Sequence, residues 1–405
     1  MNVLMVSPGF PAEMPRFTRG LAQVGANVVG LSDQPAEALP ELARTHLADH
    51  IHVPSLWDER AVVEIVEQHA RRRPLDRVEC LWEPGLVLAA RLREALGLPG
   101  MSVEQTLPFR DKELMKQRLD AAGIRTPHHY RARTVEEVRE GVERIGYPII
   151  IKPIAGAGAT DTYRIDRPQD LEQVLPRIRH VPEVSVEEFV EAEEFTYDTI
   201  SINGAVLHFN VAWYRPRPLI DKLVEWVSPQ TIALRDVAAE ELQVGIEMGR
   251  KVLRALDFQT GYTHMEWYRR PDGSAVFGEI GARAPGARLV DIINFSCDID
   301  TYVGWAEAVC HGRFSQRVER KYNAATVFKR AQGQGRIQRI EGLERLMAEF
   351  GEFICGVDLL PIGAPRRDWK QVIVSDGIIY VRHPDLQQLL HMADRIGTDL
   401  QLFAG

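Results

Sequence analysis

The chain has 405 residues, 45% hydrophobic and 26% charged, with a net charge of -8 at pH 7. That length exceeds one ordinary core and calls for two to four subdomains, and the negative balance argues against a nucleic-acid partner, which needs a basic face. Four cysteines, Cys80, Cys297, Cys310 and Cys355, lack C-x-x-C spacing; they read as thiols of a reducing cytosol, with neither a disulfide frame nor a zinc site. The apolar start, Met1-Asn2-Val3-Leu4-Met5-Val6, is too short to span a bilayer and reads as a first strand.

In chain order, residues 3–6, 27–31 and 78–82 are predicted strands, separated by helices over 16–24, 61–71 and 86–96. This alternation implies a parallel, Rossmann-like sheet over residues 1–108. The loop Ser7-Pro8-Gly9-Phe10-Pro11 lacks G-x-G-x-x-G, which speaks against a nicotinamide or flavin site. A helix over 109–122 follows, and then a strand–helix–strand–strand–helix–strand unit over about 126–190, small enough to act as a lid. Residues 193–318 look antiparallel, with hairpins turning at Asn203-Gly204 and Pro271-Asp272-Gly273 around a helix over 240–256. Residues 319–405 form a last α+β unit, with strands near 324–330, 353–360, 371–374 and 378–383 and a helix over 386–396.

Several charged residues stand where charge is costly. Lys152 closes the apolar run Pro148-Ile149-Ile150-Ile151, and a lysine ending a buried strand needs an anion or a path to solvent. The run Gly156-Ala157-Gly158-Ala159-Thr160 follows, small enough for backbone N–H groups to approach phosphate oxygens, although it is not a P-loop. Glu266 and Glu279 lie thirteen positions apart on the two strands of one predicted hairpin, flanked by Met265, Trp267, Phe277 and Ile280. Facing carboxylates repel unless a cation relieves them, and a hard, oxygen-seeking ion such as Mg²⁺ suits.

The order of these pieces resembles the ATP-grasp superfamily. The resemblance implies an N-terminal Rossmann-like (pre-ATP-grasp) domain (1–108), a first half with its lid (109–192), a large antiparallel α+β subdomain holding the metal site (193–318) and a C-terminal α+β subdomain (319–405). It implies that Lys112 and Lys152 hold ATP phosphates under the loop carrying Gly156, Gly158, Ala159 and Thr160. Glu187, Glu188, Phe189 and Val190 would hold the adenine and Glu194 the ribose. Glu266 and Glu279 would bind one or two Mg²⁺ ions, with Mn²⁺ as an alternative, although Gly281 replaces the asparagine usual in the family. Arg283 would face the transferred phosphate, and Arg288 reads either as a clamp on substrate or as half of a surface pair.

Thr263-His264-Met265-Glu266 and the segment 279–286 resemble carboxylate–amine ligases, including L-amino-acid (dipeptide) ligases. The implied reaction is ADP-forming activation of a small-molecule carboxylate as an acyl phosphate, followed by attack of an amine. A bicarbonate-activating carboxylase and a silent ATP-binding scaffold are the alternatives. Substrate contacts are Glu83, which reads either as a grip on an amino group or as part of a helix start, and His264, either a satisfied core histidine or a substrate contact or base. Arg215, Arg217 and Lys222 stand in a proline-broken loop, at a gate or in solvent. The implied partners are small molecules, with no membrane or nucleic acid, and the resemblance leaves room for a homodimer.

Overall fold

The computed structural model describes residues 1–155, 161–221, 224–369, 372 and 374–405. The first sheet contains β1 (Asn2–Val6), β2 (Asn27–Ser32), β3 (Asp49–His52) and β4 (Arg77–Glu79), in the order β3-β2-β1-β4. All its pairings are parallel. Period-two alternation sends the residues of β1 into two different cores. Leu4 and Val6 pack with Leu86, Ala89 and Leu92 of the helix Leu86–Leu96. Val3 and Met5 join Phe17 of the helix Met14–Gln23 and, from far along the chain, Tyr302 and Trp305. The Phe17 ring meets Tyr302 and Trp305 edge-on at 4.8 and 5.2 Å between centroids. This aromatic contact fixes the first sheet to the later part of the chain.

The second sheet consists of β5 (His129–Ala132), β6 (Ile149–Pro153), β7 (Tyr163–Ile165) and β8 (Val184–Glu188), in the order β5-β8-β6-β7. It has its own core, in which Ile149, Ile151, Ile165 and Val186 pack with Val138 and Val142 of the helix Val135–Ile145. On β6, Ile149 and Ile151 point into that core, so alternation sends Ile150 and Lys152 to the other face.

The third sheet is built from β9 (Glu193–Ile202), β10 (Ala205–Arg215), β11 (Gln230–Ala233), β12 (Gly261–Arg269), β13 (Ala275–Gly281) and β14 (Asn323–Lys329). After β14 come β15 (Gln332–Gly333), β16 (Ile337–Glu341), β17 (Ile354–Leu359), β18 (Gly377–His383) and β19 (Gln401–Ala404). Of these, β17 and β18 extend the third sheet, giving the order β13-β12-β9-β10-β11-β14-β18-β17, while β15, β19 and β16 form a small sheet of their own. The expected division at residue 318 therefore does not coincide with a break in the sheet. β11, which no expected strand covers, pairs with β10 on one side and β14 on the other and joins the two expected units. β3 and the helices Leu289–Cys297 and Thr301–His311 likewise lie outside the expected elements. The expected strand over 371–374 falls partly outside the described residues, and residues 372 and 374 are not in a strand.

In the β12–β13 hairpin Glu266 stands opposite Glu279, as the turn position predicts. A bulge then shifts the register so that Trp267 pairs with Phe277. One extra residue thus keeps both aromatics in the core and both carboxylates on the opposite face. The core face is covered by the helix Glu240–Ala255, which approaches so closely that a Cβ on Gly245 would lie 2.2 Å from the Trp267 indole. Gly245→Ala gains up to about 1 kcal/mol of helix propensity but overpacks a fully buried ring, at about 1–3 kcal/mol. Net destabilisation of up to about 3 kcal/mol is expected in urea unfolding; greater stability in the variant would refute this packing.

Candidate active site

A cavity of ≈ 580 Å³ lies where the three sheets meet. Its walls include Lys112, Lys152, Glu187, Glu266, Glu279 and Arg283, so the phosphate lysines and the metal carboxylates expected from sequence share one chamber. Lys112 opens the helix Lys112–Ala121, whose first turn is capped by the Asp111 carboxylate accepting from the amides of Glu113 and Leu114. The Lys112 amide donates to the Ile154 carbonyl at 3.3 Å, which holds this helix start against the end of β6. The Lys112 ammonium lies 3.1 Å from Glu279, and the Lys152 ammonium 3.7 Å from the same carboxylate.

Lys152 also lies 3.1 Å from Glu187, whose second oxygen accepts from Lys116. Lys116 is 1% exposed and was not assigned a role in the sequence. Its position four residues after Lys112, on the same helix face, was the available signal. Burial opposes ionisation of Glu187, but Lys116 and Lys152 outweigh it and hold the carboxyl far below the usual range. Burial likewise opposes the charge on Lys152, yet Glu187 and Glu279 keep its pKa raised. Glu187 is thus paired with Lys116 and Lys152 and lines the cavity.

Glu266 accepts from the Tyr214 hydroxyl at 3.3 Å, and His264 Nε2 lies 3.6 Å from the same oxygen. The other ring nitrogen of His264, Nδ1, is 2.6 Å from Asp198. Burial works against the imidazolium, but Asp198 outweighs it and pushes the pKa up to about 9. The imidazole is thus paired through both ring nitrogens, with Asp198 and Glu266, and it lines the cavity. Glu194 is pushed up to about 7, by burial first and by Glu266 second, despite Arg217 at 3.1 Å. Among the described residues no group of three or more His, Cys, Asp or Glu side chains could hold a metal alone. Two carboxylates in an acidic corner fit a hard divalent ion that completes its shell with phosphate and water oxygens. Gly281 has a local reason: a Cβ there would lie 3.2 Å from the Arg283 side chain, which folds back over it.

Glu83 is fully engaged by arginines. One oxygen accepts from Arg110, and the other accepts from Arg283 Nε at 2.7 Å. Glu83 thus orients Arg283 and lines the cavity. Arg283 Nη1 donates to the Ala284 carbonyl at 2.9 Å. Arg288, expected as a clamp on substrate or as half of a surface pair, is not among the cavity-lining residues. At φ 63° its backbone turns the guanidinium away, to Asp291 at 3.0 Å and Asp358 at 2.9 Å. Arg217, by contrast, enters the cavity wall. It donates to the Val190 carbonyl at 2.7 Å, pairs with Glu194, and lies 5.0 and 4.8 Å from the ring centres of Phe189 and Tyr268. It thus engages the groups expected to receive adenosine. The Glu188 amide already donates to the His128 carbonyl at 2.8 Å, and its carboxylate pairs with Arg125 and Arg270. Arg215 pairs with Asp394 at 3.3 Å. Gly156, Gly158, Ala159, Thr160 and Lys222 lie outside the described residues.

Family models for an ATP-grasp N-terminal domain and an ATP-grasp domain match residues 22–100 and 109–215. The chain thus carries an ATP-grasp N-terminal domain and an ATP-grasp domain. Curated relatives include an L-arginine-specific L-amino acid ligase of Bacillus subtilis, 26% identical over 266 residues. An alanine–anticapsin ligase of Bacillus subtilis (strain 168) is 26% identical over 298 residues. These matches cover 64% and 66% of this chain, and the chain spans 63% and 62% of the two relatives' lengths. A solved L-amino acid ligase from Bacillus licheniformis superposes with a TM-score of 0.81 at 22% identity, over 100% of this chain and 98% of that one. An N5-carboxyaminoimidazole ribonucleotide synthetase from Thermotoga maritima gives 0.74 at 18% identity, over 100% and 99%. At these identities the likeness speaks for the fold. No helix among the described residues is long and apolar enough to cross a membrane.

Lys116→Met would leave Glu187 with Lys152 as its one cationic partner in a buried setting. Loss of one partner of a buried pair costs about 3–5 kcal/mol, so a fall of that order is expected in urea unfolding; a change below about 1 kcal/mol, the worth of an exposed pair, would contradict the buried network.

Proposed function

We propose that this ATP-grasp protein is an ADP-forming carboxylate–amine ligase acting on small molecules, with an amino acid among its substrates. The observation that carries the reading is the convergence of Lys112, Lys152, Glu266, Glu279 and Arg283 on one cavity. The names of the curated relatives, an L-amino acid ligase and an alanine–anticapsin ligase, support the substrate class.

In the proposed reaction a substrate carboxylate oxygen attacks the γ-phosphorus of ATP, and ADP leaves with the electrons of the broken P–O bond. The amine then attacks the acyl carbon, loses a proton, and inorganic phosphate departs. The protein contributes position and charge. Lys112 and Lys152 exchange part of their contact with Glu279 for phosphate oxygens. Arg283, held by Glu83, presents its remaining N–H groups to the phosphoryl oxygens. Glu266 and Glu279 would hold magnesium, which when bound neutralises charge on the phosphates; charged His264 braces Glu266 from behind. Ile150, Phe189 and Tyr268 offer apolar walls for a nucleobase, with Glu194 for the ribose hydroxyls. Arg217 must share or yield Val190 and Glu194 when a nucleoside enters.

Lys152→Ala and Glu279→Ala are expected to lower ADP release by roughly 100-fold or more, with unchanged far-UV circular dichroism, in an assay with amino acids as both acid and amine. Wild-type turnover in either variant would contradict the assignment, and AMP in place of ADP would exclude the acyl-phosphate route.

A further inference from the structure

Beyond the phosphate site the cavity continues to the carboxyl edge of the first sheet. The loops after β1 and β4 meet the segment following β13 there. The walls are mostly apolar, with Met14, Leu81, Trp82, Pro84, Ala287 and Leu289 among them. Two carboxylates also face this compartment, Glu83 and Glu13. Glu83 has both oxygens taken by Arg110 and Arg283. Glu13 has not.

Glu13 is 5% exposed and stands just before the helix Met14–Gln23 without capping it. One oxygen accepts from the Arg288 amide at 2.7 Å. Among the described residues the other oxygen has no hydrogen-bond partner, and no lysine or arginine pairs with the carboxylate. The nearby cations are committed elsewhere: Arg16 to Asp291, and the Arg288 guanidinium to Asp291 and Asp358. A carboxylate oxygen left open on a cavity wall can accept from the ammonium of a ligand, and a charged donor makes that hydrogen bond a strong one. The same compartment is bounded by Arg283, where the reacting carboxylate of the proposed substrate belongs.

We propose that Glu13 anchors the α-ammonium of the acid substrate, so that this compartment selects α-amino acids over simple carboxylic acids. The inference rests on the ligase reading above. The substrate carboxylate lies toward Arg283, its ammonium on the open oxygen of Glu13, and its side chain against Met14, Trp82 and Leu289. The Arg288 amide holds Glu13 in place through the other oxygen. Glu13 is thus a specificity-determining residue.

Glu13→Gln is the variant of choice, since the amide oxygen still accepts from the Arg288 N–H while the charge is lost. Acyl phosphate is trapped with hydroxylamine as the hydroxamate, and ADP is followed in parallel. Neutral α-amino acids are each compared with their desamino analogues, for example L-leucine with 4-methylpentanoate. Wild type is expected to favour the amino acid, and the ratio of kcat/KM between the two acids is expected to fall roughly 10- to 100-fold in Glu13→Gln, the worth of a hydrogen bond to a charged group. The loss should appear in the KM for the amino acid and leave the KM for ATP in place. An equal fall for both acids would make Glu13 a mere brace of the loop and overturn the proposal, as would an undiminished preference. If no acid yields ADP or hydroxamate in wild type although ATP binds by calorimetry, the ligase reading fails, and this assignment with it.

Discussion

The ion pairs that Glu279 makes with Lys112 and Lys152 are the constraint around which the site is arranged. They join a helix start, a strand end and a hairpin that belong to three parts of the chain. Each group is costly to bury alone. Together they are tolerated, and the arrangement keeps two cations and two carboxylates facing a common space. Lys116 and Glu187 extend the network toward the small sheet, and His264 and Asp198 extend it into the large one. The lysines' positive charge is thus met by the protein's own carboxylates.

Packing on the other side makes this geometry possible. Phe17, Tyr302 and Trp305 fix the first sheet against the large one, which places the loops after β1 and β4 beside Arg283. The bulge between β12 and β13 separates aromatic from acidic residues within one hairpin. The helix carrying Gly245 presses on Trp267 from the core face, so the strand bearing Glu266 has little room to shift. Core packing and site geometry are thus two faces of the same strands.

Much of this was legible in the sequence because strong local patterns agree with the fold. Strand–helix alternation gave the parallel first sheet, and the Asp272-Gly273 turn placed Glu266 opposite Glu279. What was not legible depends on contacts between distant segments. β11 is short, and nothing local marks it as the bridge between β10 and β14. Lys116 carried no mark of a role because its carboxylate partner lies seventy-one residues away in the sequence. Arg288 follows a Pro-Gly pair that suggested a clamp, but its left-handed backbone and Asp291 turn it elsewhere. The two arginines that engage Glu83 come from distant segments and are likewise not displayed by a sequence.

The most direct test of the central claim is a crystal structure of the protein with magnesium and a non-hydrolysable ATP analogue. The triphosphate should lie between Lys112 and Lys152, with electron density for a metal between it and the Glu266–Glu279 pair, and with the Glu279 ion pairs lengthened. Density for the nucleotide in another cavity, or phosphates remote from either lysine, would contradict the account.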